Sequence, residues 1–173
     1  MKALSETNEI HEKIGEFLDI RAFIALKNYL SEQNPVDIAE ALDGLEERDI
    51  SLCFRLLYKE LAAEVFVNMD KEKQKALIEG FNDARLRELL SEICPDDAAD
   101  LVEEMPAGVV SRILKHADSE TRAAINEILL YPKNSVGSIM TTEYVSLRRD
   151  MTVSEAIAKI RRVGVDKETV YTC

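Results

Sequence analysis

Between Asn34 and Pro132 the apolar residues of this chain return every twelve positions. Stepping from Leu45 meets Leu57, Met69, Phe81, Ile93, Met105, Ala117 and Leu129. Stepping from Ala41 meets Cys53, Val65, Leu77, Leu89, Leu101, Ile113 and Ile125. The column from Leu42 runs through Phe54, Phe66, Ile78, Leu90, Val102 and Leu114 and turns polar at Asn126. The column from Ile38 is the loosest: Ile50, Ala62, Leu86, Ala98 and Val110, with polar breaks at Gln74 and Arg122. Within each unit the offsets are 3, 4 and 7, the spacing of one buried helical stripe. The pattern therefore predicts eight copies of a short amphipathic helix. A twelve-residue unit holds about nine helical residues and a tight turn. Helices of that length are not stable alone, so they must stack and share a continuous core. Two units make a hairpin of about 24 residues, and four hairpins a short superhelix. Asp37, Asp49, Asp83 and Ser119 are of the type that caps a helix or opens its first turn.

The flanks read differently. Ile10, Ile14, Phe17 and Leu18 mark one helix in residues 1–34, and Phe23, Leu26 and Leu30 a second; His11 is expected to lie exposed beside Glu12. After Pro132 the period stops. Residues 136–140 read as a short turn or helix and 144–147 as a strand. Thr152 and Glu155 form a capping box ahead of the apolar positions Val153, Ala156, Ile157 and Ile160. Residues 168–172 read as a second strand. A β-α-β piece ending at a strand cannot bury its own faces, so 133–173 is expected to be a linker and the truncated opening of a larger domain, following a helical-repeat domain over 1–132.

Charge singles out one unit. From Pro95 to Pro106, Ala98, Leu101, Val102 and Met105 form the apolar stripe, while Asp96, Asp97, Asp100, Glu103 and Glu104 stand on the other side with no Lys or Arg between them. Like charges so spaced repel unless a cation is near. Pro95-Asp96-Asp97-Ala98-Ala99-Asp100 is echoed by Pro35-Val36-Asp37-Ile38-Ala39-Glu40, and Leu61-Ala62-Ala63-Glu64 repeats its Ala-acid step. Asp96 and Asp100, one helical turn apart, project the same way and suit a hard divalent cation that takes one or two carboxylates and keeps several waters. Spacing does not choose between Asp96 and Asp97. A solvated acidic face is the simpler reading of the same residues.

The 173 residues carry a formal net charge of -11, which argues against binding a nucleic-acid backbone. Cys53, Cys94 and Cys173 are scattered, as reduced cytosolic thiols are. Cys53 falls in a core column, Cys94 at a turn, and His116 near a helix end where a cation suits the carbonyls. No leader and no apolar run of 18 residues is present, so the chain as given is expected to be cytosolic. Neither a P-loop, a dinucleotide fingerprint, HExxH nor a nucleophile triad occurs, and no enzymatic activity is expected.

The run from Ser135 to Val145, with Gly137-Ser138-Ile139-Met140-Thr141 at its centre, continues into Asp150-Met151-Thr152-Val153-Ser154-Glu155-Ala156. It resembles the entry into the first cystathionine-β-synthase-type (CBS) domain of MgtE-type magnesium transporters, and the helical array resembles the N domain of that family. The resemblance covers essentially the whole chain. It implies a mainly α fold, a superhelical stack of short helices followed by a β-α-β CBS start. It implies the cytosolic face of a homodimeric, multi-pass Mg²⁺ channel, with Mg²⁺ bound between N and CBS domains to hold the pore closed. By the same resemblance the metal residues are Asp96, Asp100 and Glu64, with Ser138 contributing through its main chain where the family has Gly. The carboxylates facing them belong to a second CBS half, and the pore to a transmembrane domain, both beyond this chain. The competing reading is an interaction scaffold, since short helical repeats also resemble flagellar motor switch proteins; that role would show no metal dependence.

Overall fold

The computed structural model describes residues 2–132, 135–141 and 144–167. The helices are α1 (Lys2–Asp19), α2 (Phe23–Leu30), α3 (Pro35–Asp43), α4 (Glu47–Leu56), α5 (Lys59–Val67), α6 (Lys71–Gly80), α7 (Asp83–Leu90), α8 (Pro95–Glu104), α9 (Ala107–His116), α10 (Ser119–Ile128) and α11 (Val153–Val163). From α3 to α10 every helix starts twelve residues after the one before, so the apolar period and the helix period coincide. Asp37 and Asp49 lie in first turns, and Asp83 and Ser119 open their helices. The side-chain caps proper are the residues just ahead: Asn34 accepts from the Val36 N–H, Asp70 from Glu72 and Asn82 from Arg85.

The chain divides into two compact units, Met1–Ile93 with Glu104–Asp118, and Cys94–Glu103 with Ser119–Cys173. In the first, alternate helices stack: α1 on α3, α3 on α5, α5 on α7 and α7 on α9, with a second row of α2, α4 and α6 that reaches α9. The Ala41 column is buried at every position. Phe54 and Phe66 are wholly buried in the next column, each contributing roughly 1.5–3 kcal/mol by area removed from water. Cys53 is buried among them as expected, and that burial, with Asp49 adding to it, pushes its thiol up to about 12.

Helix ends in the first unit are closed in an unusual way. Among the described residues Arg21 alone has a positive φ, so no helix ends on the left-handed glycine that commonly satisfies its last carbonyls. Side chains from other helices take that role. His11 donates from Nδ1 to the Ala41 carbonyl of α3 at 2.9 Å. Arg85 donates to Phe54 of α4 at 2.6 Å. Arg112 reaches Ile78 at 2.7 Å, Glu79 at 3.0 Å and also Phe81 at the end of α6. Gln74, the polar break in the Ile38 column, is buried because its amide donates to Phe66 at 2.7 Å and more weakly to Val67 at 3.4 Å, closing α5. His11 is thus half-buried, not exposed; its ring lies 2.8 Å from where a Cβ would stand on Gly44, so the close approach requires glycine there.

The second unit holds α8, α10, a 3₁₀ turn at Val136–Ile139, α11 and a further 3₁₀ turn at Gly164–Asp166. Ala98, Ala99, Leu101 and Val102 of α8 are buried, as are Ile125 and Ile128 of α10. The glycine of the Val136-Gly137-Ser138 turn is explained by Tyr131, whose ring would clash with an added Cβ. The capping box of α11 is complete: the Thr152 Oγ1 accepts from the Glu155 N–H, and the Glu155 carboxylate accepts from the Thr152 N–H at 2.8 Å. None of α11's described side chains is buried; Val153 and Ile157 of its apolar face are exposed. The expected strand over 144–147 is not shown among the described residues. Tyr144 makes an isolated bridge and Val145 is buried, but a strand requires a ladder partner, and the candidate partner 168–172 lies outside the described residues.

Candidate metal centre

Helix α8 presents its carboxylates by the geometry of its other face. With Ala98, Leu101 and Val102 turned inward, Asp97, Asp100, Glu103 and Glu104 are exposed and Asp96 is half-buried in the first turn. The positive end of the helix dipole favours Asp96 and Asp97, whereas Glu103 and Glu104 stand at the end where it opposes them. The repulsion along the face is partly relieved, since Lys71 reaches Glu104 at 3.1 Å. One repeat earlier Lys59 holds Glu92 at 2.6 Å, so this pairing keeps the array's twelve-residue step. Sequence reading missed these cations because they lie 33 residues from their partners.

Asp96 and Asp100 share one helix, about one turn and about 6 Å apart along its axis. Ser138 belongs to the same unit; its Oγ and its N–H both donate to the Ser135 carbonyl, at 2.9 and 3.2 Å, which fixes the 3₁₀ turn at that residue. Glu64 is exposed on α5 in the other unit, its own carbonyl accepting from Asn68 at 2.8 Å. Among the described residues no group of three or more His, Cys, Asp or Glu side chains is gathered closely enough to hold a metal ion. A cation held at α8 would therefore take most of its ligands from water or from another surface.

His116 has its Nε2 at 3.4 Å from Asp83 and its Nδ1 at 3.4 Å from Arg87, a cationic neighbour that makes the ring a poor ligand for another cation. Asp43 is raised from the ordinary carboxylate value chiefly by burial, then by the nearby Asp70. Asp70 itself is lowered by hydrogen bonds with Glu72.

A sequence model of the MgtE intracellular N domain matches residues 33–134. The magnesium transporter MgtE of Thermus thermophilus is 35% identical over 151 residues, which span 85% of this chain and 33% of the relative. The magnesium transporter MgtE of Bacillus subtilis is 21% identical over 156 residues, or 90% of this chain and again 33% of the relative. This chain thus corresponds to a third of the length of the curated relatives it matches. Among solved structures, the cytosolic domain of the Mg²⁺ channel MgtE in complex with ATP superimposes with a TM-score of 0.83 at 33% identity, over 93% of this chain and 66% of that one. The soluble part of a magnesium transporter gives 0.82 at 23% identity, over 95% and 65%, a likeness of fold alone. Matched over its helical array, the chain belongs to the MgtE intracellular N-domain family.

Proposed function

We propose that this chain is the cytosolic Mg²⁺-sensing region of a magnesium transporter or channel. It comprises a helical N domain over 1–132 and the opening of a CBS domain over 133–173. The observation that supports the reading is the acidic outer face of α8, carried within the residues that match the family. Asp96 and Asp100 hold Mg²⁺ from one side, Glu64 provides a further carboxylate, and the main chain at Ser138 an oxygen. Mg²⁺ when bound neutralises carboxylates that otherwise repel a facing acidic surface. The part played by this chain's residues is therefore to make the closed arrangement conditional on the cation. Driving such an equilibrium from mostly open to mostly closed requires about 10⁴-fold differential binding. One weak site does not supply that, and several spread across an interface do. The pore, the second CBS half and the partner protomer belong to the full-length protein.

Limited proteolysis of the chain extended through the second CBS half tests the reading. Millimolar Mg²⁺ is expected to protect it, and Asp96→Asn with Asp100→Asn to remove that protection while leaving the helical circular dichroism unchanged. Identical digestion with and without Mg²⁺ refutes it.

A further inference from the structure

Three arginines line one groove of the first unit, although acids outnumber bases by 33 to 22 in the whole chain. Arg21 follows α1, and Arg48 and Arg55 lie on α4. The groove, about 760 Å³, also takes in Asp19, Asp49 and the ring of Phe23. Among the described residues none of these three guanidiniums has an ion-pair partner within reach, unlike Arg85 and Arg112, which are committed to carbonyls and carboxylates. An apolar depression of about 580 Å³ adjoins the groove, sharing Arg21 and Phe23 and edged by Ile24, which is 81% exposed.

Among the described residues Arg21 is the one non-glycine residue with a positive φ. Its φ is 55°, its N–H donates to Leu18 at 3.1 Å, and the next N–H, of Ala22, returns to Phe17 at 2.9 Å. That is the helix-ending motif whose left-handed position is normally glycine. An arginine there is disfavoured relative to glycine, and a disfavoured conformation kept beside a lined groove points to a use for its side chain.

We propose that this groove binds a phosphate ester. The guanidiniums of Arg21, Arg48 and Arg55 receive the phosphate, for which their planar donors are suited. Asp19 and Asp49 accept hydrogen bonds from hydroxyl or amino groups of the same ligand, which the mixed charge of the groove requires. Phe23 and the apolar depression take its ring or acyl part. A soluble nucleotide and a phospholipid headgroup share this chemistry. The site is on the first unit and owes nothing to the carboxylates of α8.

The test measures binding of ATP by calorimetry, and of vesicles of phosphatidylglycerol against phosphatidylcholine by co-sedimentation. The proteins are wild type, Arg21→Gly, and Arg48→Gln with Arg55→Gln. Saturable binding in one arm, weakened about tenfold or more in both variants, is expected. The ATP arm alone assigns a soluble ester, and the vesicle arm alone a lipid headgroup. Because glycine relieves the left-handed position, Arg21→Gly is expected to keep or raise the melting temperature while losing ligand. Binding in neither arm overturns the proposal, as does affinity unchanged in the variants. A lowered melting temperature for Arg21→Gly likewise makes that arginine structural and overturns its role.

Discussion

Removing the guanidinium of Arg112 tests whether cross-helix closure of carbonyl ends holds the array together. Its Nη1 donates to Ile78 at 2.7 Å and Glu79 at 3.0 Å, its Nη2 donates to Phe81, and Asp83 lies 3.7 Å away. The side chain is 28% exposed, so water recovers part of what an alanine gives up. A hydrogen bond from a charged donor contributes about 1.5–3 kcal/mol. Three that share one group and one half-wet helix end do not add, and Asp83 at that distance contributes little. The expected cost of Arg112→Ala is therefore about 3 kcal/mol. For a chain of this size that corresponds to a fall in melting temperature of roughly 6–12 °C. Arg112→Lys keeps the charge at the helix end but has no fork to span neighbouring carbonyls, so it should recover about half. Thermal unfolding by circular dichroism gives the magnitudes, and amide exchange gives the location. The Phe81 N–H, bonded to Leu77 at 2.9 Å, should lose more protection than amides of α3. A loss under about 0.5 kcal/mol for Arg112→Ala, or full recovery by lysine, refutes the reasoning.

Three further expectations follow from single contacts. Gly137→Ala drives a methyl into the Tyr131 ring and should destabilise the second unit by about 1–3 kcal/mol, as overpacking does; Gly137→Ala combined with Tyr131→Ala should restore most of it, read by urea titration. Glu155 is held below its ordinary value of 4.5 by hydrogen bonds from the Thr152 N–H and hydroxyl. Its cap on α11 therefore contributes above pH 4.5 and is lost as pH falls through the lower folded value. A carboxyl NMR titration midpoint at or above 4.5 would contradict this. The Cys53 thiol, buried and raised to about 12, should stay unmodified by a neutral-pH thiol reagent in the native chain and react once the chain is unfolded in urea; prompt native labelling at Cys53 would show that the core position is open.

The period of twelve made the array legible because it acts on two levels at once. A residue such as Val65 is apolar for the same reason that Lys59 starts its helix: both repeat with the unit, so column and boundary reinforce each other. What stayed hidden depends on which helix lies beside which. His11 reads as a surface residue until α1 is seen to stack on α3, where its ring meets Gly44 and the Ala41 carbonyl. Gln74 reads as a flaw in its column until its amide is found closing α5. The strand expected over 144–147 is not shown among the described residues, and its candidate partner 168–172 lies outside them. At the candidate site, the acidity of α8 was legible from composition alone, whereas the relief from Lys71 to Glu104 was not.

The closing of helix ends bears on the acidity itself. A stack of short helices multiplies carbonyl ends, and here left-handed glycines do not close them. Basic side chains are drawn in instead: His11, Arg85 and Arg112 point at main-chain oxygen, and so does Lys73, whose Nζ lies 3.3 Å from the Leu45 carbonyl. A guanidinium satisfied by carbonyls neutralises less of the surface than one paired with a carboxylate. The chain has 33 acids against 22 lysines and arginines, and this use of the first unit's cations leaves fewer of them to pair with carboxylates of that unit. An array built this way is predisposed to present acidic helix faces.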